Sequence, residues 1–305
     1  MLDHDPVTIQ DLGGDDVPRI RRILDSSEYV HYRFGDDELP RLLQRLPAVG
    51  VLSTPPNRLA RMLEPPIRAF LLVNWLVPPS AWIGGFGVTW SEGPRFAEYL
   101  DILLPPIVQR SAARGAKTLY YSGADLDTDW LAETFTNRGF HLASLLRSYD
   151  KFDFQVPARG NQRIRVRPFT PADVAGVVEI ENLAFPQLWR HDGDNFLEIR
   201  EMYPYFVVAE DERGIVGYQF NTVESGIGFL VRIAVHPRAQ GEGIGARLMA
   251  DAVHYFRQHR VWKIVLNTEE TNTRAHQLYE WFGFQLVEPR GFVLGLDIAG
   301  QNAGQ

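Results

Sequence analysis

The sequence contains no cysteine, and this absence removes several kinds of chemistry at once. Without cysteine the chain can form no disulfide, offer no thiolate nucleophile and build no cysteine zinc site. The eight histidines show neither H-x-H nor H-E-x-x-H spacing, so no metal site is predicted.

Excess positive charge and long apolar runs are also missing. The 31 Lys and Arg residues are outnumbered by 38 Asp and Glu residues, which leaves a net charge of −7 and predicts no nucleic-acid partner. The longest apolar stretch, around Ala69 to Val77, is about half of a membrane span. Met1 to Pro6 carries Asp3 and Asp5 where a signal peptide would be basic, so we expect a cytoplasmic protein with no membrane partner.

Two pairs of similar segments indicate a tandem repeat in this chain of 305 residues. The segment V-T-I-Q-D-L-G-G-D-D-V, which starts at Val7, is similar to I-R-V-R-P-F-T-P-A-D-V, which starts at Ile164. The segment N-R-G-F, which ends at Phe140, is similar to W-F-G-F, which ends at Phe284.

The landmarks of the repeat predict where the domains begin and end. The first copy is the longer one, and its excess is expected around Leu39 to Pro66. The composition of Val156 to Gln162 is typical of a linker, and Ala299 to Gln305 is expected to be an unstructured tail. We therefore predict two domains, residues 1–157 and residues 158–305.

Hydrophobic periodicity in the C-terminal half predicts an alternation of strands and helices. The predicted strands are 163–169, 205–210, 215–223, 229–235, 263–267, 284–287 and 292–296, and the predicted helices are 172–184, 195–202, 244–256 and 273–282. This order predicts the α/β (α+β) fold class, with a mixed sheet flanked by helices.

A glycine-rich turn, V-H-P-R-A-Q-G-E-G-I-G-A from Val235 to Ala246, lies between a predicted strand and a predicted helix. Free backbone amides and the positive end of the helix would form an anion site there. Gly241, Gly243 and Gly245 allow the backbone to approach a pyrophosphate closely, so a phosphate-bearing ligand is expected. A plain strand–helix connection without a ligand remains the alternative.

Two other phosphate-binding loops fit this turn less well. Gly241, Gly243 and Ala246 satisfy the dinucleotide pattern G-x-G-x-x-G/A, but about five strands precede the turn and no acidic residue follows at the required distance. A Walker-type loop would end in G-K-[ST], which is missing here.

Three linked motifs carry a family resemblance. They are V-x-P from Val235 to Pro237, Q-x-x-G-x-G/A from Gln240 to Gly245, and N-x-x-A-x-x-x-Y-x-x-x-G-F from Asn272 to Phe284. On these motifs, residues 163–298 resemble the GNAT superfamily of acyl-CoA-dependent N-acyltransferases. The resemblance implies two tandem GNAT-like domains, each with a mixed, mostly antiparallel sheet. It also implies a gap between the fourth and fifth strands that admits acetyl-CoA.

The resemblance also implies a set of site residues and a reaction. The pantetheine arm would bond to Ile233 and Val235, and the pyrophosphate would lie on the loop from Gln240 to Gly245. The implied donor-binding residues are Ile233, Ala234, Val235, Gln240, Gly241, Glu242, Gly243, Ile244, Gly245, Ala246, Asn267, Asn272, Ala275 and Tyr279. The expected reaction is transfer of the acetyl group from acetyl-CoA to a primary amine of a small molecule or peptide, by direct attack in a ternary complex.

Tyr279 is the expected general acid for the departing thiolate, whereas the general base is less obvious. Many relatives carry a glutamate on the fourth strand, where this sequence has Val231 and Arg232. Glu224 is the preferred base, and the alternatives are His191, Asp192 or ordered water with backbone carbonyls.

The acceptor partner is expected to be an amine of a small molecule or peptide. A cationic amine is one interpretation of the residues expected around the acceptor cleft, and the alternative is that these aromatic residues belong to the core. The aromatic residues expected around the acceptor cleft are Phe185, Trp189, Tyr203, Tyr205 and Tyr218, and the acidic residues are Asp192, Asp194 and Glu224. A homodimer is left open. A non-catalytic sensor of acyl-CoA is the alternative function.

The N-terminal copy lacks the residues that the resemblance requires. Phe135, Leu131 and Thr128 stand at the positions of Tyr279, Ala275 and Asn272. The counterpart of the glycine-rich turn, Ser91 to Phe96, has one glycine and a proline, and Pro105 and Pro106 are expected to interrupt the following helix. We predict a degenerate, non-catalytic domain that shapes or covers the active site.

Overall fold

The computed structural model describes residues 8–52 and 66–299, and these form two compact units. Of the described residues, the first unit contains 8–52, 66–123, 129–143 and 293–299, and the second contains 124–128 and 144–292. Several sequence predictions fall wholly or partly outside the described residues. They concern the N-terminal residues 1–7, residues 53–65 within the longer part of the first copy expected around Leu39 to Pro66, and the tail after residue 299.

The first unit contains a mixed sheet with helices packed on it. Its elements are β1 (Thr8–Asp11), α1 (Val17–Ser26), β2 (Val30–Tyr32), α2 (Leu39–Arg45), β3 (Ala48–Leu52), β4 (Ile67–Val77), β5 (Ser80–Val88), α3 (Phe96–Ala113), β6 (Thr118–Gly123), α4 (Ala132–Thr136) and the start of β7 (His141–Lys151). The strand order is β1-β3-β4-β5-β6, and β2 pairs with β5. Strands β5 and β6 are parallel, whereas the pairs β1–β3, β3–β4, β4–β5 and β2–β5 are antiparallel.

The second unit repeats this plan. Its elements after β7 are β8 (Arg165–Pro168), α5 (Val174–Ala184), α6 (Gly193–Met202), β9 (Tyr205–Asp211), β10 (Gly214–Glu224), β11 (Ile227–Val235), α7 (Ile244–Gln258), β12 (Lys263–Glu269), α8 (Thr273–Trp281) and β13 (Gln285–Asp297). The strand order is β7-β12-β11-β10-β9-β8, and only β11 and β12 are parallel among the pairs with a described register. The predicted α/β fold is confirmed, except that the two last predicted strands form one continuous strand, β13.

Alternation along the strands places the helices of the second unit on opposite faces of its sheet. Phe206 and Val208 of β9 belong to a core that contains residues of α5 and α6. Val207 and Ala209, which point to the other face, share a core with residues of α7. The apolar residues of α7 are buried as their helical spacing predicts, among them Leu248 at 0% exposure.

Strand pairing inside the first unit has the same pattern as strand pairing inside the second, which confirms the repeat. Ser80 pairs with Thr118 at the start of the parallel contact in the first unit, as Ile227 pairs with Lys263 in the second. The register between β4 and β5 skips Gly84, and the register between β10 and β11 skips Val231. Ser80 and Gly84 lie 147 positions before Ile227 and Val231, so the two irregularities are equivalent.

The compact units do not follow the predicted division at residue 157. From Ser144 onward β7 belongs to the second unit, where Tyr149 pairs with Leu266 and Ser148 pairs with Asn267 of β12. The end of β13, from Val293, belongs to the first unit, where it neighbours β6. Without β7, strand β12 would be an unpaired edge of the sheet. The strand that pairs with this edge therefore lies before the predicted linker in the sequence. The domain limits 1–157 and 158–305 therefore remain a sequence prediction.

Helix α3 runs through Pro105 and Pro106, contrary to the sequence expectation. A proline inside a helix costs about 3 kcal/mol because it lacks an N–H. The prolines lie toward the solvent side, with Pro105 exposed, whereas six large apolar residues of α3 are buried on the other side. Their burial outweighs the loss, since each contributes about 1.5 to 3 kcal/mol. None of the helices within residues 8–52 and 66–299 is long and apolar enough to cross a membrane.

Candidate active site

A cleft opens in the second unit where β11 and β12 separate. The two strands pair from Ile227 to Phe229 and from Lys263 to Val265, and the irregularity at Val231 follows directly. The cleft has a volume of about 830 Å³ and is lined by the second half of β11, the glycine-rich loop, the end of β12 and α8. The expected gap between the fourth and fifth strands of the repeat is therefore present.

The glycine-rich loop adopts a backbone that requires glycine at two positions. Gly241 has φ of +85° and Gly243 has φ of +77°, both in the left-handed region. Gly245 lies in the first turn of α7, where an added Cβ would lie 3.4 Å from a methyl carbon of Leu278. Because α7 begins at Ile244, the first amides of this helix have no intrahelical acceptor and can bind an anion.

Asn272 organises the opposite wall of the cleft. Its Oδ1 accepts a hydrogen bond from the Ala275 N–H (3.2 Å), which caps the start of α8. Its Nδ2 donates to Oγ1 of Thr268 (3.1 Å), which links the cap to the end of β12. The Asn272 side chain therefore fixes the start of α8 and joins it to the end of β12.

Tyr279 of α8 lines the cleft with its ring buried and 5% of the residue exposed. The ring packs edge to face against Tyr149, with centroids 5.6 Å apart, and lies 6.1 Å from the ring of Phe284. Its hydroxyl has no hydrogen-bond partner among the described residues. Burial, and then the neighbouring Tyr149, raise the pKa of Tyr279 well above the usual value, so the phenol remains a proton donor at neutral pH.

A hydrogen-bonded pair supports Tyr279 from behind. The hydroxyl of Tyr149 lies 2.7 Å from Nδ1 of His276, and Nε2 of His276 lies 3.0 Å from the carbonyl oxygen of Glu270. Because a carbonyl can only accept, Nε2 carries the proton and Tyr149 donates to Nδ1. The ring that packs on Tyr279 is thereby held in place.

A buried polar cluster lies at the other end of the cleft, around Glu181 of α5. Glu181 is 0% exposed and accepts hydrogen bonds from the backbone and ring of His191, from Arg232 and from the hydroxyl of Tyr218. Burial would raise its pKa, but the His191 hydrogen bond and the Arg232 charge outweigh this, and the pKa is lowered. The buried carboxylate therefore stays ionised.

Arg232 and His191 complete this cluster. The guanidinium of Arg232 lies over the ring of Phe185 at 3.7 Å and donates to the carbonyl of Trp189 (2.7 Å). Burial lowers the pKa of His191, with Glu181 opposing, so the imidazole is neutral near pH 7. Glu181 is not among the predicted site residues, although a carboxylate beside Val177 and Ile180 on the apolar face of α5 indicates a buried charge.

The structure does not bring all predicted site residues to the cleft. Those that line it are Phe185, Trp189, Ile233, Ala234, Val235, Gln240, Gly241, Gly243, Ile244, Gly245, Ala246, Asn267, Asn272, Ala275 and Tyr279. Those that lie outside its lining are His191, Asp192, Asp194, Tyr203, Tyr205, Tyr218, Glu224 and Glu242. Each of the latter has another place: Glu224 is exposed at the β10–β11 turn, Asp192 caps α6, and Tyr205 stacks on Tyr255.

Glu269, which the sequence analysis did not single out, lines the cleft at the end of β12. Its Oε1 accepts a hydrogen bond from the hydroxyl of Ser144 (3.1 Å), a residue of β7. Within the described part of the chain, Glu269 carries the one carboxylate in the lining of the cleft. No group of three or more His, Asp or Glu residues in the same part of the chain is arranged to hold a metal ion.

The equivalent gap in the first unit is filled by the chain itself. Strand β2 has no counterpart in the second unit, and it pairs with Gly85, Phe86 and Gly87 of β5. The Val88 N–H donates to the carbonyl of Tyr29 (3.1 Å), and the Arg33 N–H donates to the carbonyl of Gly84 (2.8 Å). By the offset of 147 positions, Val88 corresponds to Val235 of the open cleft. The main-chain groups that face the gap in the second unit are thus already paired in the first.

Comparison with known proteins agrees with this arrangement. Residues 174–284 match the model of the acetyltransferase (GNAT) family. An uncharacterized N-acetyltransferase of Methanocaldococcus jannaschii is 31% identical over 122 residues, which cover 39% of this chain and 77% of the relative. A mycothiol acetyltransferase of Mycolicibacterium gilvum is 30% identical over 147 residues, which cover 43% of this chain and 48% of the relative, so the chain spans about half the length of that relative.

The fold similarity extends over nearly the whole chain. A solved structure described as a tandem GNAT protein from the clavulanic acid biosynthesis pathway has a TM-score of 0.63 and 14% sequence identity. The match covers 96% of this chain and 98% of that protein, which confirms the predicted tandem architecture. The family match, the relatives and the open cleft agree that this chain belongs to the GNAT family of acetyltransferases.

Proposed function

We propose that the second unit transfers the acetyl group of acetyl-CoA to a primary amine of a small molecule or peptide, by direct attack in a ternary complex. The observation that carries this proposal is the cleft between β11 and β12. It has anion-binding amides at the glycine-rich loop and a buried phenol, Tyr279, in its wall. An extended pantetheine arm would bond to the main chain of Ile233 and Val235.

The first chemical requirement is a neutral amine. A primary amine with a pKa near 10.4 is almost wholly protonated at pH 7, and removing its proton costs about 4 to 5 kcal/mol. We propose that Glu269, directly or through water, binds the ammonium group and accepts this proton. This carboxylate lines the cleft, whereas Glu224 is exposed at a turn outside it, so Glu269 takes the role that the sequence analysis gave to Glu224.

The second requirement is stabilisation of the charge that develops during attack. The tetrahedral oxyanion would be stabilised by a backbone N–H of β11, near Val235. The departing thiolate would receive a proton from Tyr279, whose raised pKa keeps that proton available. The electron pair of the broken C–S bond goes to sulfur, and the acetyl carbon stays bonded to the amine nitrogen. That nitrogen loses its remaining excess proton through water, which restores the phenol of Tyr279 and leaves a neutral amide and free CoA thiol.

The cleft lining supports an amine whose body is partly apolar. Phe185, Pro186 and Trp189 line the cleft on the side of Arg232, and Glu269 supplies a negative charge. The positive charge of Arg232 is balanced by Glu181, so the buried cluster adds no net charge there. We therefore propose a cationic primary amine attached to an apolar or aromatic group as the acceptor.

Release of thiol from acetyl-CoA tests this function. The panel should contain polyamines, amino acids, aminoglycosides and peptides, and also the deacetylated precursor of mycothiol, since relatives bear the name mycothiol acetyltransferase. We expect amine-dependent release and a stoichiometry of one CoA per chain, because β2 fills the equivalent gap of the first unit. Saturable CoA binding without turnover on any amine would instead favour a non-catalytic acyl-CoA sensor.

A further inference from the structure

Asn161, which the sequence analysis assigned to a linker, contacts the glycine-rich loop through two hydrogen bonds. Its N–H donates to the carbonyl of Gly243 (3.1 Å), and its Nδ2 donates to the carbonyl of Glu242 (3.0 Å). Its Oδ1 accepts from the Arg163 N–H (3.0 Å), which fixes the orientation of the side-chain amide. One residue therefore holds two consecutive carbonyls of the loop.

Because the peptide bond is planar, this contact also determines the direction of two backbone amides that line the cleft. In a trans peptide, the C=O and the N–H of the next residue point in opposite directions. Because the carbonyls of Glu242 and Gly243 point toward Asn161, the amides of Gly243 and Ile244 point away from it. Gly243 and Ile244 both line the cleft. A hydrogen bond to each carbonyl also polarises the peptide unit and strengthens its N–H as a donor.

Gly160 allows the segment to lie this close to the loop. Its φ is +66°, and an added Cβ would lie 2.2 Å from the backbone nitrogen of Arg247 and 2.6 Å from its Cα. These are backbone atoms of the first turn of α7, which cannot move aside as a flexible side chain could. The approach of Asn161 to the loop therefore depends on glycine at position 160.

We propose that Asn161 is a positioning residue that orients the Gly243 and Ile244 amides toward the diphosphate of the acyl-CoA. This inference rests on the proposed function, because it assumes that the diphosphate lies on this loop. Asn161 acts through the loop backbone and touches no reacting atom. Its contribution should therefore appear with ligands that carry the diphosphate and be absent with ligands that lack it.

Titration of the full-length chain with CoA and with S-acetylpantetheine, which has no diphosphate, tests the inference. For Asn161→Ala we expect about fivefold weaker CoA binding, the effect of losing one hydrogen bond of about 1 kcal/mol, and unchanged S-acetylpantetheine binding. Asn161→Asp keeps the acceptor for Arg163 but loses the donor, so it should weaken CoA binding at least as much. Gln162→Ala is the matched control, since Gln162 bonds to the carbonyl of Arg159 within the same segment.

A second pair of variants tests the close approach of Gly160. Gly160→Ala should weaken CoA binding at least as much as Asn161→Ala, because the segment must move away from α7. Gly214→Ala is the control, since Gly214 also has a positive φ (+110°) but its added Cβ meets nothing within 4 Å. Thermal unfolding of both variants separates a folding defect from a binding defect.

The outcomes distinguish this inference from the proposed function. If the unmodified chain does not bind CoA, the proposed function itself fails. If it binds CoA and Asn161→Ala binds equally well, or loses affinity for both ligands to the same extent, only the positioning role is overturned.

Discussion

Replacing Tyr279 by phenylalanine removes one oxygen atom from the wall of the cleft and leaves the ring. The ring contacts with Tyr149 and Phe284 remain, and the hydroxyl has no protein partner to lose among the described residues. The free energy of unfolding should therefore change by less than about 0.5 kcal/mol. CoA affinity should also stay within about twofold, because the amides of the glycine-rich loop are not altered.

The turnover rate, in contrast, should fall at least tenfold. A positioned general acid typically contributes about 10² to 10⁴ in rate. The departing thiolate is only weakly basic and water can reach an open cleft, so we expect a loss between about tenfold and the lower end of this range. Tenfold corresponds to about 1.4 kcal/mol in the activation free energy. Because the pKa of Tyr279 is raised, the phenol stays protonated as pH rises from 6 to 9, and the unmodified chain should show no loss of rate from its ionisation in that range.

The assay is thiol release at saturating acetyl-CoA and amine, together with the dissociation constant of CoA. Tyr255→Phe is the matched control, since Tyr255 is a buried tyrosine of the same unit that stacks on Tyr205 and does not line the cleft. Turnover that is unchanged in the Tyr279 variant would refute the assignment. A loss of equal size in the control would show that the effect does not come from proton donation.

Three further predictions follow from the geometry of the second unit. Gly243→Val should weaken CoA binding at least tenfold, because a left-handed backbone costs a non-glycine residue about 1 to 2 kcal/mol and the strain would displace the loop amides that line the cleft. Gly214→Val introduces a comparable strain at a turn outside the cleft and should leave CoA affinity unchanged, so equal CoA affinities of the two variants would contradict the loop assignment. Glu269→Gln should lower turnover at pH 7 at least tenfold, and the turnover of this variant should recover as pH rises because more of the amine is neutral. Glu224→Gln is the control and should have the same pH–rate profile as the unmodified chain. The reverse pattern would indicate that Glu224 is the base. A fragment of residues 158–305 lacks β7, the strand that pairs with β12 beside the cleft, and should show no CoA binding in calorimetry. A CoA affinity equal to that of the full chain would show that β12 does not need this strand.

Much of the candidate site could be predicted from the sequence because local backbone requirements leave a mark on residue type. The glycines at 241 and 243 adopt positive φ, which other residues avoid, so their spacing is readable without a structure. Asn272 caps α8 and Tyr279 follows seven positions later, two turns along the same helix face. The apolar periodicity of α7 predicted its buried face for the same reason.

The general base that we propose, Glu269, could not be predicted in this way, because its place at the cleft depends on which strands separate. Glu224 and Glu269 are each the last residue of a strand, and nothing local identifies either as the residue at the cleft. The end of the parallel pairing at Phe229 and Val265 places Glu269 at the opening and leaves Glu224 at a turn. Helix α3 was misjudged for a related reason, since burial of its far side outweighs the local cost of two prolines.

The sequence by itself determined the repeat, the helix and strand periods and the glycine-rich loop, because each of these is set by residues close together in the chain. Tertiary structure alone decided that β7 completes the second unit, that β2 fills the gap of the first, and that Asn161 holds the loop. These three contacts join segments far apart in sequence. Asn161 uses its side-chain amide, but no neighbouring residue indicates the distant loop as its partner, and the two strand pairings use backbone groups that nearly any residue type supplies. Such pairing leaves no pattern in composition or spacing, so only the folded chain reveals it.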